Sequence, residues 1–429
     1  MKKIGVFGLW HLGCVLTAAW SKLGNQVIGF DYNVININNL KLGKAPLFEP
    51  FLDQTIKYEM DKGKLKYTDD IMYLDECDYV FLAYDTPVND DDTSDTSILM
   101  QSIDDLKRVL KDGAIVIISS QSPVGFCSEL RSILQEYNPA LELAYSPENL
   151  RLGEAIKCYL EPERIILGTT NKETEEKCLD LFSQIKKYNL ECSSTVSEVI
   201  SMNLESAEMV KHGINSFLSM SIVFANHLAD ICSDKGAKIQ DVIRGLKSDP
   251  RIGKKAYLAP GIGFSGGTLG RDLKVLKQAN GNGYAKLFGI IHDFNSERKY
   301  SIISKLEKQF GDLKDKKIGV LGLTYKPGTS TLRRSLPIEI VDVMIEIGAK
   351  VMAFDPKADY NELTTEPKFE ISHSIAHTAI NSDFLVIMTE WPEFKEYDWN
   401  LFKDVPIFDT KNCLDGEKLI EQGNKYYSI

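Results

Sequence analysis

Lys211 and Asn215 stand four residues apart in the run Glu208-Met209-Val210-Lys211-His212-Gly213-Ile214-Asn215, a spacing that puts both on one face of a helix. An ammonium there can stabilise a developing alkoxide, and a neighbouring amide can orient a water or a hydroxyl. Taken alone, such a pair is more often a solvated helix edge. Downstream, Gly261-Ile262-Gly263-Phe264-Ser265-Gly266-Gly267-Thr268 is a glycine-dense loop, the composition found where backbone must approach something closely. Arg271 and Asp272 follow it at once, and Asp249-Pro250-Arg251-Ile252-Gly253 precedes it with a guanidinium suited to phosphate. Near the N-terminus, Gly8-Leu9-Trp10-His11-Leu12-Gly13 is a G-x-x-x-x-G form of the dinucleotide fingerprint. A strand-like run precedes it, a helical run follows, and Asp31 ends the next strand 23 residues past Gly8. Asp31 is placed to accept from both hydroxyls of a ribose, which favours NAD over NADP, whose 2′-phosphate it would repel. The middle glycine, which ordinarily lets backbone approach the pyrophosphate, is Trp10, so this bulk must swing away or displace the cofactor. On the fingerprint alone, a packed strand–helix turn that binds nothing stays open as an alternative.

Other chemistries lack their residues. His373 and His377 are four apart without the glutamate of an HExxH motif, so they read as helix surface, and no metal site is expected. No G-x-S-x-G elbow and no Walker loop occurs. Eight cysteines, at 14, 77, 127, 158, 178, 192, 232 and 413, are scattered with no CxxC pair. That excludes a zinc ribbon and a dense disulfide scaffold and suits a reducing cytoplasm. The balance of 61 Asp and Glu against 50 Lys and Arg gives a net charge of −11. Such a chain is a poor nucleic-acid binder, although a local basic pocket for a phosphorylated small molecule is compatible with it. Lys2-Lys3 and the apolar run to Trp20 resemble a secretory signal, but His11 interrupts the run. The pattern then continues into Gly24…Asp31 as a helix end, a turn and a buried strand. No other apolar run approaches the roughly 18 residues of a membrane span. A soluble, cytoplasmic protein is expected.

The elements that would position these residues follow from the apolar patterning. A length of 429 residues, at roughly 150 per domain, gives two to three domains. The hydrophobic share of 43% with 26% charged is globular composition and excludes a disordered chain. Buried strands are predicted over residues 4–7, 27–30, 79–84, 114–118, 142–145 and 164–168, with a helix over 12–23 closed by Gly24. From about residue 201 to 235, apolar residues recur at helical spacing, broken only by Gly213. This predicts one long helix, a spine between domains and a dimer face; two helices meeting near Gly213 are the alternative. A second copy of the opening pattern starts at Lys316, with a strand over 318–321 and a helix over 338–347. Both Gly24…Asp31 and Gly348…Asp355 read G-x-x-V-x-x-F-D, and Asp78…Ala83 matches Asp383…Met388. The predicted fold class is α/β. Two Rossmann-like doubly wound parallel sheets, over 1–195 and 306–429, flank a helical middle domain over 196–305 that contains the long central helix and the glycine loop.

In these features the chain resembles the UDP-glucose/GDP-mannose dehydrogenases, which oxidise the C6 hydroxyl of a nucleotide sugar to a carboxylate with two NAD+. The resemblance runs over nearly the whole sequence. Besides the segments above, it rests on Gly43-Lys44-Ala45-Pro46-Leu47-Phe48-Glu49-Pro50, Thr86-Pro87, Ser122-Pro123-Val124-Gly125 and Ser146-Pro147-Glu148-Asn149-Leu150-Arg151. Leu321-Gly322-Leu323-Thr324-Tyr325-Lys326-Pro327, Leu332-Arg333-Arg334-Ser335 and Thr389-Glu390-Trp391 extend it to the C-terminal part.

The resemblance implies roles residue by residue. Gly8 to Gly13, Asp31, Asn36, Thr86, Gln121, Glu148, Arg271 and Arg333 would surround NAD. Asn149, Leu150, Arg151, Lys211, Asn215, Arg251, Tyr257, Gly261 and Lys326 would hold the nucleotide sugar, with the C-terminal domain taking the UDP. Lys211, Asn215, Asp272, Glu148 and the residue at 268 would carry the chemistry, and a homodimer would form through the central helix. The family has a nucleophilic cysteine where Thr268 stands, which forms a thiohemiacetal and then a thioester. An alcohol is a weak nucleophile without a strong adjacent base, so Thr268 is unsuited to that route. Gly270 replaces a proline, Arg271 a common lysine, Gln121 a threonine, and Trp10 the middle glycine of the fingerprint. Three activities follow. One is four-electron oxidation through a hydrated aldehyde. The second is removal of one hydride, giving an aldehyde or a redox-neutral epimerase with retained NAD. The third is a non-catalytic nucleotide-sugar-binding homologue.

Overall fold

The computed structural model describes residues 1–84, 95–147, 150–151, 153–193, 197–265, 267–278, 286–363 and 365–429. Thr86, Glu148 and Asn149 lie outside the described residues. The chain divides into two compact units, Met1–Gly213 and Ile214–Ile429.

The first unit is built on a sheet of β1 (Lys3–Phe7), β2 (Gln26–Phe30), β3 (Leu65–Thr68), β4 (Tyr79–Leu82), β5 (Ile115–Ile118), β6 (Glu142–Tyr145), β7 (Arg164–Gly168) and β8 (Glu198–Met202). Their order is β3-β2-β1-β4-β5-β6-β7-β8, parallel throughout except for the β6–β7 pair. Ile4, Val6 and Phe7 in β1 and Val80, Phe81 and Leu82 in β4 are fully buried, because helices cover both faces of the sheet. One face packs on helix His11–Lys22, whose Trp20 stacks on Phe81 and donates from Nε1 to Tyr159 Oη at 2.8 Å. The stretch from Lys2 to Trp20 that resembles a secretory signal thus holds β1, at the centre of the sheet, and most of the helix that follows it. Two strands escape the apolar reading. β3 alternates buried and exposed residues over four positions, and β8 is half exposed along its length.

The second sheet contains β9 (Lys317–Leu321), β10 (Lys350–Phe354), β11 (Glu370–Ile371), β12 (Phe384–Ile387), β13 (Ile407–Asp409) and β14 (Tyr426–Ser428). Its order, β11-β10-β9-β12-β13-β14, reproduces that of the first six strands, and all its pairs are parallel. The repeat extends to single bonds. Gly8 N–H donates to Phe30 O at 3.0 Å, and Gly322 N–H donates to Phe354 O at 2.8 Å. The two glycines have φ +97° and +94°, the left-handed region that a turn leaving the central strand requires.

Leu204–Lys235 is one helix of 32 residues, continuous through Gly213, so the two-helix alternative does not apply. The division between the compact units falls inside it. Helices Gly267–Gln278 and Lys286–Phe310 lie between it and the second sheet in sequence. Among the described residues, no helix is long and apolar enough to cross a membrane.

Candidate functional site

In the first unit the fingerprint turn has the geometry of a dinucleotide site. A side chain at Gly13 would put its Cβ 1.8 Å from Gly8 O, and one at Gly8 would meet Tyr84 N at 2.9 Å. Both positions therefore need glycine for helix, turn and strand to close. Trp10, at the middle position, has φ −83° and ψ −152°, extended backbone that any residue adopts, and its side chain is 44% exposed. Its bulk is directed into solvent rather than into the core. Helix His11–Lys22 begins without a capping side chain, so its first-turn amides and helix dipole favour an anion. Asp31 is buried, and its Oδ2 accepts Leu9 N–H at 2.6 Å. Its Oδ1 accepts Asn33 N–H at 2.8 Å and the Tyr84 hydroxyl at 3.4 Å. A carboxylate offers about four acceptor positions, so capacity remains for a ribose hydroxyl. These residues fit NAD. Leu9 is buried, Leu12 is partly buried against the core, and Asn36 N–H is committed to Asn33 Oδ1, which caps the next helix.

A buried carboxylate 38 residues away anchors this turn. His11 Nε2 lies 3.1 Å from Glu49 Oε2, and the Glu49 carboxylate also accepts Gly153 N–H at 3.0 Å and Ala155 N–H at 2.9 Å. A second buried carboxylate, Glu208 on the long helix, accepts Gly125 N–H at 2.6 Å and Cys127 N–H at 2.8 Å. Burial pushes its pKa up, against the opposing pull of those bonds. One turn on, His212 Nε2 donates to Ser122 O at 2.8 Å. The segment after half-buried Gln121 is therefore pinned on either side of Lys211 in sequence. Leu150 packs partly buried against the core, and Arg151 is exposed.

In the second unit Asn215 Nδ2 donates to Asp272 Oδ2, and Asp272 is 0% exposed. Two of the residues singled out in sequence, 57 apart, thus form one buried pair. Arg271 beside it is also buried. Thr268 is exposed in the first turn of helix Gly267–Gln278, with no hydrogen-bond partner among the described residues. A helix start lowers the pKa of a thiol placed there. It does not turn a threonine hydroxyl into a nucleophile in the absence of a base. A side chain at Gly270 would meet nothing within 4 Å.

Arg251, expected to reach phosphate, lies in the structure against its own loop. Its Nε and Nη2 donate to the Asp249 carboxylate at 3.0 and 2.7 Å, and these side-chain bonds, with the bond from the Arg251 N–H, hold the Asp249 pKa down. Tyr257 is exposed. Gly261 is buried, held on one side by Asn226 Oδ1, which accepts its N–H at 2.7 Å. On the other side Arg298 Nε donates to Gly261 O at 3.1 Å, while Asn295 pairs with both N–H and O of Phe264 at 2.8 and 2.9 Å. Arg298, 4% exposed, also bonds Asp230. Asn226, Asn295 and Arg298 have no local motif; only their long-range bonds mark them. In the C-terminal part Lys326 Nζ lies 5.6 Å from the Tyr325 ring centroid, and Arg333 is exposed.

Comparison with known proteins places these features. Family models for the UDP-glucose/GDP-mannose dehydrogenase family match residues 2–186 (NAD binding domain), 205–296 (central domain) and 319–416 (UDP binding domain). A UDP-glucose 6-dehydrogenase of Rickettsia prowazekii is 31% identical over 438 residues, covering 99% of this chain and 99% of that protein. One from Rhizobium meliloti is 30% identical, covering 100% and 99%. Among solved structures, a UDP-glucose dehydrogenase from Pyrobaculum islandicum aligns with TM-score 0.85 at 22% identity, covering 100% of this chain and 97% of that one. A UDP-D-ManNAc dehydrogenase from Pyrococcus horikoshii aligns with TM-score 0.84 at 25% identity, covering 100% and 99%.

Proposed function

This chain belongs to the UDP-glucose/GDP-mannose dehydrogenase family of NAD-dependent oxidoreductases, and from that premise we propose that it oxidises the C6 hydroxyl of a nucleotide sugar. The observation that carries the reading is the buried Asn215–Asp272 pair, kept in a chain whose first turn also fits a dinucleotide. NAD, when bound, supplies the hydride acceptor. Gly8 to Gly13 and Asp31 would hold it, with Asn36, Thr86, Gln121, Arg271 and Arg333 completing its surroundings. Lys211 would stabilise the alkoxide that forms as the C6 hydroxyl gives up its proton to water. Asn215 would orient that hydroxyl, and Asp272 would fix the Asn215 amide. Glu148 and Asn149 to Arg151 would face the sugar, while Arg251, Tyr257, Gly261 and Lys326 would take the nucleotide and its phosphates. Arg251 must then exchange its bond to Asp249 for one to phosphate.

The second oxidation would not run through a covalent enzyme intermediate, because Thr268 is an alcohol with no hydrogen-bonded base among the described residues. A hydrated aldehyde, with Lys211 and Asp272 handling the water, is the route to a carboxylate. The same exposed Thr268, unpartnered among the described residues, favours a second reading, in which the chain removes one hydride and stops or returns it. Domains over 1–195, 196–305 and 306–429 belong to this proposal. So do a cytoplasmic site, which suits eight free thiols, and a homodimer through the long helix, where Phe217, Met220, Phe224 and Ile231 are exposed at helical spacing. The test is NADH formed per sugar consumed across UDP-, GDP- and CDP-sugars. Two NADH per sugar select the hydrated-aldehyde route, and one selects a stop at the aldehyde. No NADH and an unaltered sugar across the panel would overturn both.

A further inference from the structure

Helix Leu336–Glu346 takes its N-terminal acceptor from a distant loop. Ser335 occupies the N-cap position, yet its hydroxyl is turned away and donates to Leu323 O. The Leu336 N–H donates instead to Ser265 Oγ at 3.0 Å, across 71 residues. Pro337 has no N–H, and Ile338 and Glu339 donate to Ser335 O at 3.1 and 3.3 Å. Every first-turn position of this helix is therefore satisfied or lacks a proton. A second contact supports the first. Gly263 has φ +112°, and a Cβ there would lie 2.6 Å from Asn295 Oδ1 and 3.0 Å from Leu336 Cδ2, so the loop backbone packs directly on the start of the helix. Upstream of Ser265, the loop is already fixed by Asn226, Arg298 and Asn295 at Gly261 and Phe264. Thr268 follows three residues later.

We propose that Ser265 is a positioning residue whose hydroxyl fastens the glycine loop to the first turn of helix Leu336–Glu346. Through Ser335 and Leu323 that turn is joined to the Gly322–Thr324 turn at the end of β9. The residues before Thr268 and the nucleotide-facing end of the second sheet are thereby held in one register. This rests on the reading that the glycine loop meets a nucleotide sugar, but the bond can be read without turnover. A hydrogen bond of this kind changes an equilibrium by about three- to tenfold.

The Ser265→Ala variant is expected to speed hydrogen exchange at the Leu336 amide by about three- to tenfold, with exchange in β1 unchanged. Its KM for the nucleotide sugar turned over in the panel should rise by a similar factor, with the KM for NAD unchanged. Ser265→Thr, which keeps the hydroxyl, should restore both. Unchanged Leu336 exchange in Ser265→Ala would overturn the proposal, as would a threonine variant no better than alanine or a KM for NAD that rises in step. If no sugar is turned over, the functional reading fails, while the exchange rates still decide whether Ser265 fastens the loop.

Discussion

The two turns that leave β1 and β9 start alike and end differently. Each opens with a positive-φ glycine, and in each the next residue donates its N–H to an aspartate ending the neighbouring strand: Leu9 to Asp31 at 2.6 Å, and Leu323 to Asp355 at 2.7 Å. After Gly8 the helix begins within three residues, uncapped, at His11. After Gly322 it begins only at Leu336 and is capped by Ser265. Asp31 receives three donors, one of them at 3.4 Å. Asp355 receives six, from Leu323 N, Thr324 N and Oγ1, Trp391 Nε1, Lys357 N and Ala358 N. Six exceeds the roughly four acceptor positions of a carboxylate, so Asp355 has nothing left for a ribose. A repeated fold does not carry a repeated site. The first turn leaves an anion position and an acceptor open, whereas the second spends both on its own chain. The nucleotide proposed for the second sheet must then be held by side chains such as Lys326 rather than in the manner of a dinucleotide.

The contrast can be broken most strongly at Asp355. Replacing it by alanine strands buried donors and should destabilise the second unit by about 3–5 kcal/mol, read by denaturant unfolding, with NAD affinity unchanged. A loss of NAD affinity at constant stability would reverse the assignment of the two turns. Next, Gly13→Ala should cost about 3 kcal/mol or more, because a Cβ 1.8 Å from Gly8 O forces turn and helix apart, and NAD binding should go with it. Gly270→Ala, in open space within a helix, should instead be neutral or stabilise by about 0.5–1 kcal/mol.

The smallest effect is in acid. Burial raises the Asp230 pKa, but the bond and charge of Arg298, with Lys305, outweigh it and leave it below the ordinary aspartate value of 3.8. A depressed carboxylate contributes stability in full above 3.8, and the contribution is lost as pH falls through the folded value. Asp230→Asn should therefore flatten the loss of stability below about pH 4 in the unit that contains the glycine loop. An unchanged acid profile would show that the Asp230 bond to Arg298 adds nothing to stability.

Much of this was legible in the sequence. The repeated G-x-x-V-x-x-F-D marked both sheets, because buried parallel strands are continuous apolar runs and their turns need glycine. Asp31 was legible because its spacing from Gly8 follows from one strand–helix–strand unit. The saturation of Asp355 was not, since its donors come from residues 323 to 391 and only the fold brings them together. The same holds for the Ser265–Leu336 bond and for the Asn226, Asn295 and Arg298 bracket. The local pairing of Arg251 was not legible either: a guanidinium two residues from Asp249 bonds that carboxylate first and must leave it to reach phosphate.

The central claim is that one of the two turns takes a dinucleotide. Calorimetric titration of the full chain with NAD tests it, comparing wild type with Asp31→Ala. The account predicts one NAD per chain, weakened about 10- to 100-fold by the substitution, since bonds to a charged acceptor contribute about 1.5–3 kcal/mol. Two NAD per chain, or one bound equally well without the Asp31 carboxylate, would contradict it.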